Sequence, residues 1–433
     1  MSTTLLENPE ATLDYSFDKK QEKRLNLFWT GIFLYTAAYT IGAGLTQPYT
    51  IAVVAQTIGI ICIIGGTLNL AKYRFDNKYL NGVFTIYLAW MIYVAARGIS
   101  FNVDGIKYVL FDGSFGLFVY LSPMILLFPL NLQFFKKLFS FILVLGLLYL
   151  FYDLCFAKIL LSSDRTPNLV NQNAAERFTK YLSIPVGFLL FTINYHSKRN
   201  RLLAILIIVV NLLLVIYRAR RGLVFICSVT ILFAFLIYIL SSRSKFLIII
   251  AAIVAAFFGY TLISSSVNNQ NNFFGFLLER NEEDTRSPVE DCFYADMKTK
   301  DWIVGKGMTG DYYCPNIDED DTSGYRDSIE TDYLNTILKG GVISLGLMLL
   351  MAVPAVLKGL FFSKNILSKA AAFWILLWMV SLYPSNVTTF SLNYLLVWIC
   401  IGICHSKELR NIPEEDLVEY FRNDGIEPAQ ETL

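Results

Sequence analysis

Two short stretches of this chain combine residue types and spacings that could do chemistry. The first is Arg218-Ala219-Arg220-Arg221-Gly222, three guanidinium groups in four residues between two long apolar runs. Arg218 and Arg221, three apart at a helix start, are expected to share one face and grip a phosphate bidentately, because the planar guanidinium fork matches two phosphate oxygens. The N-terminus of a helix beginning near Gly222 would add partial positive charge at the same place. The second stretch is Glu330-Thr331-Asp332-Tyr333, whose carboxylates open another apolar run. Facing a cationic cluster in a partly desolvated place, such a carboxylate can act as general base on a hydroxyl. Plainer readings stand beside both: arginines that snorkel to anionic lipid headgroups, and acids that favour a helix N-terminus through its dipole.

The elements that must position these residues are apolar. Of 433 residues 55% are hydrophobic and only 16% charged, with mean hydropathy +0.50; soluble domains carry nearer a quarter charged residues. Apolar windows predict an all-α polytopic membrane protein of about twelve spans, near 26–46, 49–71, 79–98, 108–129, 138–161, 174–194, 201–217, 222–241, 245–265, 333–357, 369–384 and 388–404. Every even-numbered exit is basic: Lys72, Arg74 and Lys78; Lys136 and Lys137; Lys198, Arg199 and Arg201; Arg243 and Lys245; Lys358, Lys364 and Lys369; Lys407 and Arg410. Basic residues are retained in the cytoplasm, so both termini are expected there. The chain then divides into a cytoplasmic tail (1–25), spans one to nine (26–265), an extracytoplasmic loop (266–331), spans ten to twelve (332–404) and a charged cytoplasmic tail (405–433). No cleavable signal peptide is expected, because the first 24 residues are polar and end in basic ones.

On this orientation the arginine triplet faces outside, against the bias that governs the other loops, which makes it a cationic site in its own right. A membrane-embedded polyprenyl pyrophosphate would fit it. Arg177, which follows an Asn-rich segment into span six, and Arg280, Arg286 and Arg326 from the long loop are candidates to complete the clamp. That loop is far longer than a connection requires, which suggests function. Within it, 271–280 is expected to form an amphipathic helix and Asp301–Val304 a strand-like piece running into Gly305, Gly307 and Gly310, while the acidic run Asp318–Asp321 is expected to be a solvated face. Cys292 and Cys314 are the two cysteines of the loop, and a disulfide between them is plausible if it lies outside the cytoplasm. The other five cysteines lie in or beside apolar runs as small hydrophobes. His196 and His405, the only histidines, sit beside basic segments, so no histidine metal site or histidine base is expected. Neither a metal, a cofactor nor a nucleic-acid partner is expected.

In order and topology these pieces resemble the O-antigen polymerase and ligase family of polytopic glycosyltransferases. The likeness rests on Asn171-Gln172-Asn173-Ala174-Ala175, Ala219-Arg220-Arg221-Gly222, Val304-Gly305-Lys306-Gly307, and Glu330-Thr331-Asp332-Tyr333-Leu334 with Lys339-Gly340-Gly341. The resemblance implies metal-independent glycan transfer from a polyprenyl-pyrophosphate donor on the outer face of the bacterial cytoplasmic membrane. By it, Arg221 would bind the pyrophosphate leaving group, and Glu330, with Asp332, would orient or deprotonate an acceptor sugar hydroxyl. Arg218, Arg220, Arg177, Asn173, Arg280, Arg326 and Tyr333 would bind pyrophosphate or glycan. Glu330 stands where ligases of the family use His, which favours a repeat-unit polymerase over a ligase. A transporter such as a lipid-linked oligosaccharide flippase should instead carry its charges along the bundle interior, where Asp112 is the clearest ionisable residue. The implied partners are the lipid-linked oligosaccharide, the bilayer, a chain-length regulator and a flippase.

Overall fold

A computed structural model describes residues 17–45, 50–68, 70–73, 75, 77–99, 102–162, 170–241, 286–315 and 324–422. The expected span 245–265, the helix at 271–280, Arg280, Arg74, Arg243, Lys245 and the acidic run 318–321 lie outside these residues. The described chain is almost wholly helical, with one two-residue antiparallel ribbon pairing Tyr312 with Arg326 and Tyr313 with Tyr325. Among the described residues six helices are long and apolar enough to cross a membrane: Thr50–Thr67, Lys78–Ala96, Leu132–Cys155, Lys198–Tyr217, Arg221–Leu240 and Asp332–Phe361. Lys19–Gly44 is a further long helix packed against Thr50–Thr67, and the shorter apolar helices Ile366–Ser381 and Leu392–His405 lie almost entirely within the core.

Two expected spans are broken rather than continuous. In the fourth, the helix Val103–Phe111 ends at Asp112, whose carboxylate accepts hydrogen bonds from Ser114 N (2.6 Å) and Phe115 N (2.9 Å). Asp112 therefore holds a chain break, not a place within a continuous span, because its short side chain satisfies the amides that the break leaves open. In the sixth, Val170–Phe178 runs into a π-helical turn, Thr179–Ser183, and then a 3₁₀ turn, Ile184–Val186. Pro185 contributes to that irregularity, since it cannot donate the amide an α-helix needs there.

The loop before Asp332 folds as a small cap. Helices Ser287–Asp296 and Thr299–Val304 pack beside the ribbon through Phe293, Tyr312 and Met297, and a disulfide joins Cys292 to Cys314 with their Cα atoms 5.2 Å apart. The strand-like reading of Asp301–Val304 is thus corrected to a helix, with Asp301 accepting from Lys298 N at its start. The glycines that follow dock on the kinked Asp332–Phe361 helix. Gly341 adopts φ 69°, a left-handed conformation that costs other residues, and an added Cβ would lie 2.0 Å from Ile303 O. The kink frees the carbonyls of Leu338 and Lys339, which accept from Lys306 N (2.7 Å) and Gly307 N (2.8 Å). Arg97 secures the same junction by donating to the carbonyls of Val304 (2.6 Å) and Gly305 (3.0 Å).

Candidate functional site: an arginine-lined cleft

The arginine triplet sits where two helices meet. Lys198–Tyr217 ends with Arg218 as its C-cap, Ala219 turns through φ 51°, and a new helix starts at Arg221, with Arg220 O accepting from Leu223 N (3.0 Å) and Val224 N (2.9 Å). The expectation that Arg218 and Arg221 share one helical face is therefore wrong, because the left-handed turn puts them on different helices. Arg218 is fully buried. It donates to Leu160 O (2.7 Å from Nε), Ile159 O (2.9 Å) and Ser162 Oγ (3.3 Å), and so closes the C-terminal end of the Ala157–Leu160 turn.

Arg220 and Arg221 instead line a cleft of about 190 Å³ with Arg286, Glu176, Glu330 and the turn Pro384-Ser385-Asn386. Gly222 makes this assembly possible, since a Cβ there would stand 2.5 Å from Pro384 O. Arg286 binds the same turn from the cap side, donating to Pro384 O (2.6 Å) and Tyr383 O (3.4 Å). Arg220 pairs with Glu176 at 3.3 Å and Arg286 with the exposed Glu330 at 3.5 Å, so among the described residues three guanidinium groups and two carboxylates line the cleft. The Arg221–Ser241 helix opens on it N-terminus first, so the helix dipole adds partial positive charge there.

Asp332 lies behind this cleft, fully buried. Its Oδ2 accepts from Val387 N (3.0 Å), Thr388 N (2.7 Å) and Thr388 Oγ1 (2.6 Å), while Oδ1 has no hydrogen-bond partner among the described residues. Buried Lys180, on the π-helical turn, is within electrostatic reach of Asp332 and Glu176. The geometry makes Asp332 the anchor of the turn that floors the cleft, and it leaves Glu330 as the carboxylate open to a ligand.

The remaining sequence candidates divide clearly. Arg177 donates to Ser114 Oγ (3.0 Å) in a polar cluster with Tyr39 and Tyr181, apart from the cleft lining. Asn173 is half-buried on the Val170–Phe178 helix and does not line the cleft. Tyr333 neighbours Tyr294 and Tyr383, with its amide donating to Leu382 O (3.3 Å). Arg326 belongs to the ribbon, beside the hydroxyl of Tyr312; burial pushes that phenol up to about 12 and the guanidinium opposes the shift. Sequence reasoning missed Glu176 and the Pro384–Asn386 turn. Glu176 adjoins the Asn-rich motif, and Pro-Ser-Asn is a turn signature, so both left a trace. Neither signal says which cleft the residues enter.

No family model matches the chain, and neither a curated protein nor a solved structure is significantly similar to it.

Proposed function

We propose that the protein is a membrane glycosyltransferase that joins polyprenyl-pyrophosphate-linked repeat units into a surface polysaccharide. The observation that carries this reading is the single cleft in which Arg220, Arg221, Arg286 and a helix N-terminus face the exposed carboxylate of Glu330. In this reading the chain spans the bacterial cytoplasmic membrane about twelve times, with both termini cytoplasmic, the long loop extracytoplasmic and the cleft open to the outer leaflet. The Cys292–Cys314 disulfide supports that side, because such bonds persist in oxidising compartments.

The chemistry needs no metal. The diphosphate of the donor sits among the guanidinium groups, which match its oxygens in pairs. As the glycosidic C–O bond breaks, negative charge builds on the departing diphosphate, and the arginines and the helix dipole stabilise that charge more than they stabilise the intact donor. Glu330 takes the proton of the acceptor hydroxyl as the new bond forms, and its partner Arg286, 3.5 Å away, orients the carboxylate. Asp332 positions the floor of the cleft and does not touch substrate.

The test is reconstitution with a lipid-linked repeat unit, followed by gel analysis of chain length. Arg221→Ala should abolish polymer while membrane insertion stays intact, and Arg221→Lys should restore it only in part, because a point charge cannot replace the fork. Normal chain length in the alanine variant would remove Arg221 from the mechanism. Added chelator should leave the wild-type rate unchanged.

A further inference from the structure

The Arg221–Ser241 helix runs from the arginine cleft to a second, separate pocket. Leu240, near its other end, lies nineteen residues from Arg221, about 28 Å at 1.5 Å per residue. That is the thickness of a bilayer's hydrocarbon core. There, Ile237 and Leu240 form one wall of a pocket of about 410 Å³, and Lys364, Lys369 and Arg422 line the rest with Glu414. Leu240 is 55% exposed on the outside of the bundle, at the end of an apolar helix.

The walls are tied together by specific bonds. Asn365 Nδ2 donates to Leu409 O (2.7 Å) and Ile412 O (2.9 Å), and Lys364 N donates to Arg410 O (2.8 Å), which fixes the turn that carries Lys364. Glu414 Oε2 accepts from Ile366 N (2.7 Å) and from the Tyr195 hydroxyl (2.9 Å). The amphipathic helix Glu414–Arg422 then buries Leu417 and Phe421, the latter against Phe139 and Tyr195. Arg422 Nε donates to Asn194 O (2.8 Å), which holds its guanidinium at the rim.

The ammonium groups of Lys364 and Lys369 form no hydrogen bond or close ion pair with any described residue, although Lys369 is within electrostatic reach of Glu414. Glu414 already spends one oxygen on the chain, and its burial pushes its carboxyl above the ordinary range. The pocket therefore has surplus positive charge beside an apolar wall. Basic residues that merely snorkel would spread along the boundary; here Lys364 and Lys369 from one segment and Arg422 from another line one cavity.

We propose that this pocket binds the phosphodiester headgroup of an anionic glycerophospholipid, held by Lys364, Lys369 and Arg422, with an acyl chain lying along Leu240. A phosphodiester supplies the charge these groups lack, and the exposed end of an apolar helix favours a lipid over its water-soluble headgroup. Basic pockets at the water-facing end of membrane helices take anionic headgroups in this way. The site is independent of the chemistry at the arginine cleft.

Binding is measured by native mass spectrometry of the delipidated full chain in detergent, titrated with phosphatidylglycerol or with phosphatidylethanolamine. Phosphatidylglycerol should bind more tightly, and the double variant Lys364→Gln/Lys369→Gln should weaken it roughly thirtyfold, the loss of two charges near an anionic group. Arg422→Gln should weaken it less, and the cap-side control Lys300→Gln should leave it unchanged. Glycerophosphoglycerol, the same headgroup without acyl chains, separates the two sources of phosphodiester. If it binds as tightly as the intact lipid, the lipid part of the proposal fails and a soluble phosphodiester is the ligand. Equal affinity for the two lipids, or full binding by the double variant, overturns the site altogether.

Discussion

Arg218→Ala separates architecture from chemistry within the triplet. The wild-type guanidinium is fully buried and donates to two carbonyls and a hydroxyl, those of Ile159, Leu160 and Ser162. A hydrogen bond from a charged donor contributes about 1.5–3 kcal/mol. Truncation also strands the carbonyls and leaves a cavity where the long side chain packed. Allowing for partial relaxation, the expected loss is about 3–5 kcal/mol, a large share of the stability of an ordinary protein. Arg221→Ala removes a half-exposed cleft residue and should cost about 0.5 kcal/mol or less. The assay is thermal unfolding of the purified chain in detergent, followed by size-exclusion chromatography. Arg218→Ala should melt several degrees below wild type and express poorly, while Arg221→Ala should melt with wild type. Arg218→Lys should rescue little, because one ammonium cannot reach both carbonyls. If Arg218→Ala melts with wild type and fails only in glycan transfer, the buried structural role assigned to this residue is refuted.

Other outcomes follow from the same geometry. Glu330→Gln should lower kcat with little change in melting temperature, whereas Asp332→Ala should lower melting temperature through the loss of three bonds to Val387 and Thr388; the reverse pattern would exchange their roles. Gly222→Ala should leave the helices intact by circular dichroism yet reduce activity, since its methyl group forces Pro384 O outward from 2.5 Å. Cys292→Ser with Cys314→Ser should destabilise the cap by about 3 kcal/mol on the chain-entropy account, read as faster proteolysis of the 286–330 region. Burial, with Arg201 nearby, lowers His196 from 6.5 to about 4. The unfolded chain then binds the extra proton, so stability is full above pH 6.5 and falls as pH drops toward 4. His196→Gln should flatten that part of the stability profile, and an unchanged profile would place the acid sensitivity elsewhere.

Hydropathy made the helical class legible because apolar side chains must be covered or immersed in lipid wherever they fall, and that requirement is local. Five of the expected spans coincide within a few residues with helices long and apolar enough to cross a membrane: those at 49–71, 79–98, 201–217, 222–241 and 333–357. Windowed hydropathy is blind to breaks that keep the same average, and so it ran through Asp112 and the π-helical turn at Thr179–Ser183. The disulfide was legible as a pairing of the only two loop cysteines. The helix at Thr299–Val304 was not, because its three consecutive apolar residues, Trp302, Ile303 and Val304, fit either period.

The chain's own order of residues thus determined that it is helical and rich in membrane-length apolar segments, and it put the triplet beside a helix start. Which arginine turns inward was decided only by tertiary structure. One left-handed residue, Ala219, sends Arg218 to the carbonyls of a neighbouring turn and leaves Arg220 and Arg221 at the cleft. The partners that complete the cleft come from residues 176, 286, 330 and 384–386, which are far apart in sequence and meet only through packing. Spacing can record which side chains share one helix; it carries no term for the approach of another.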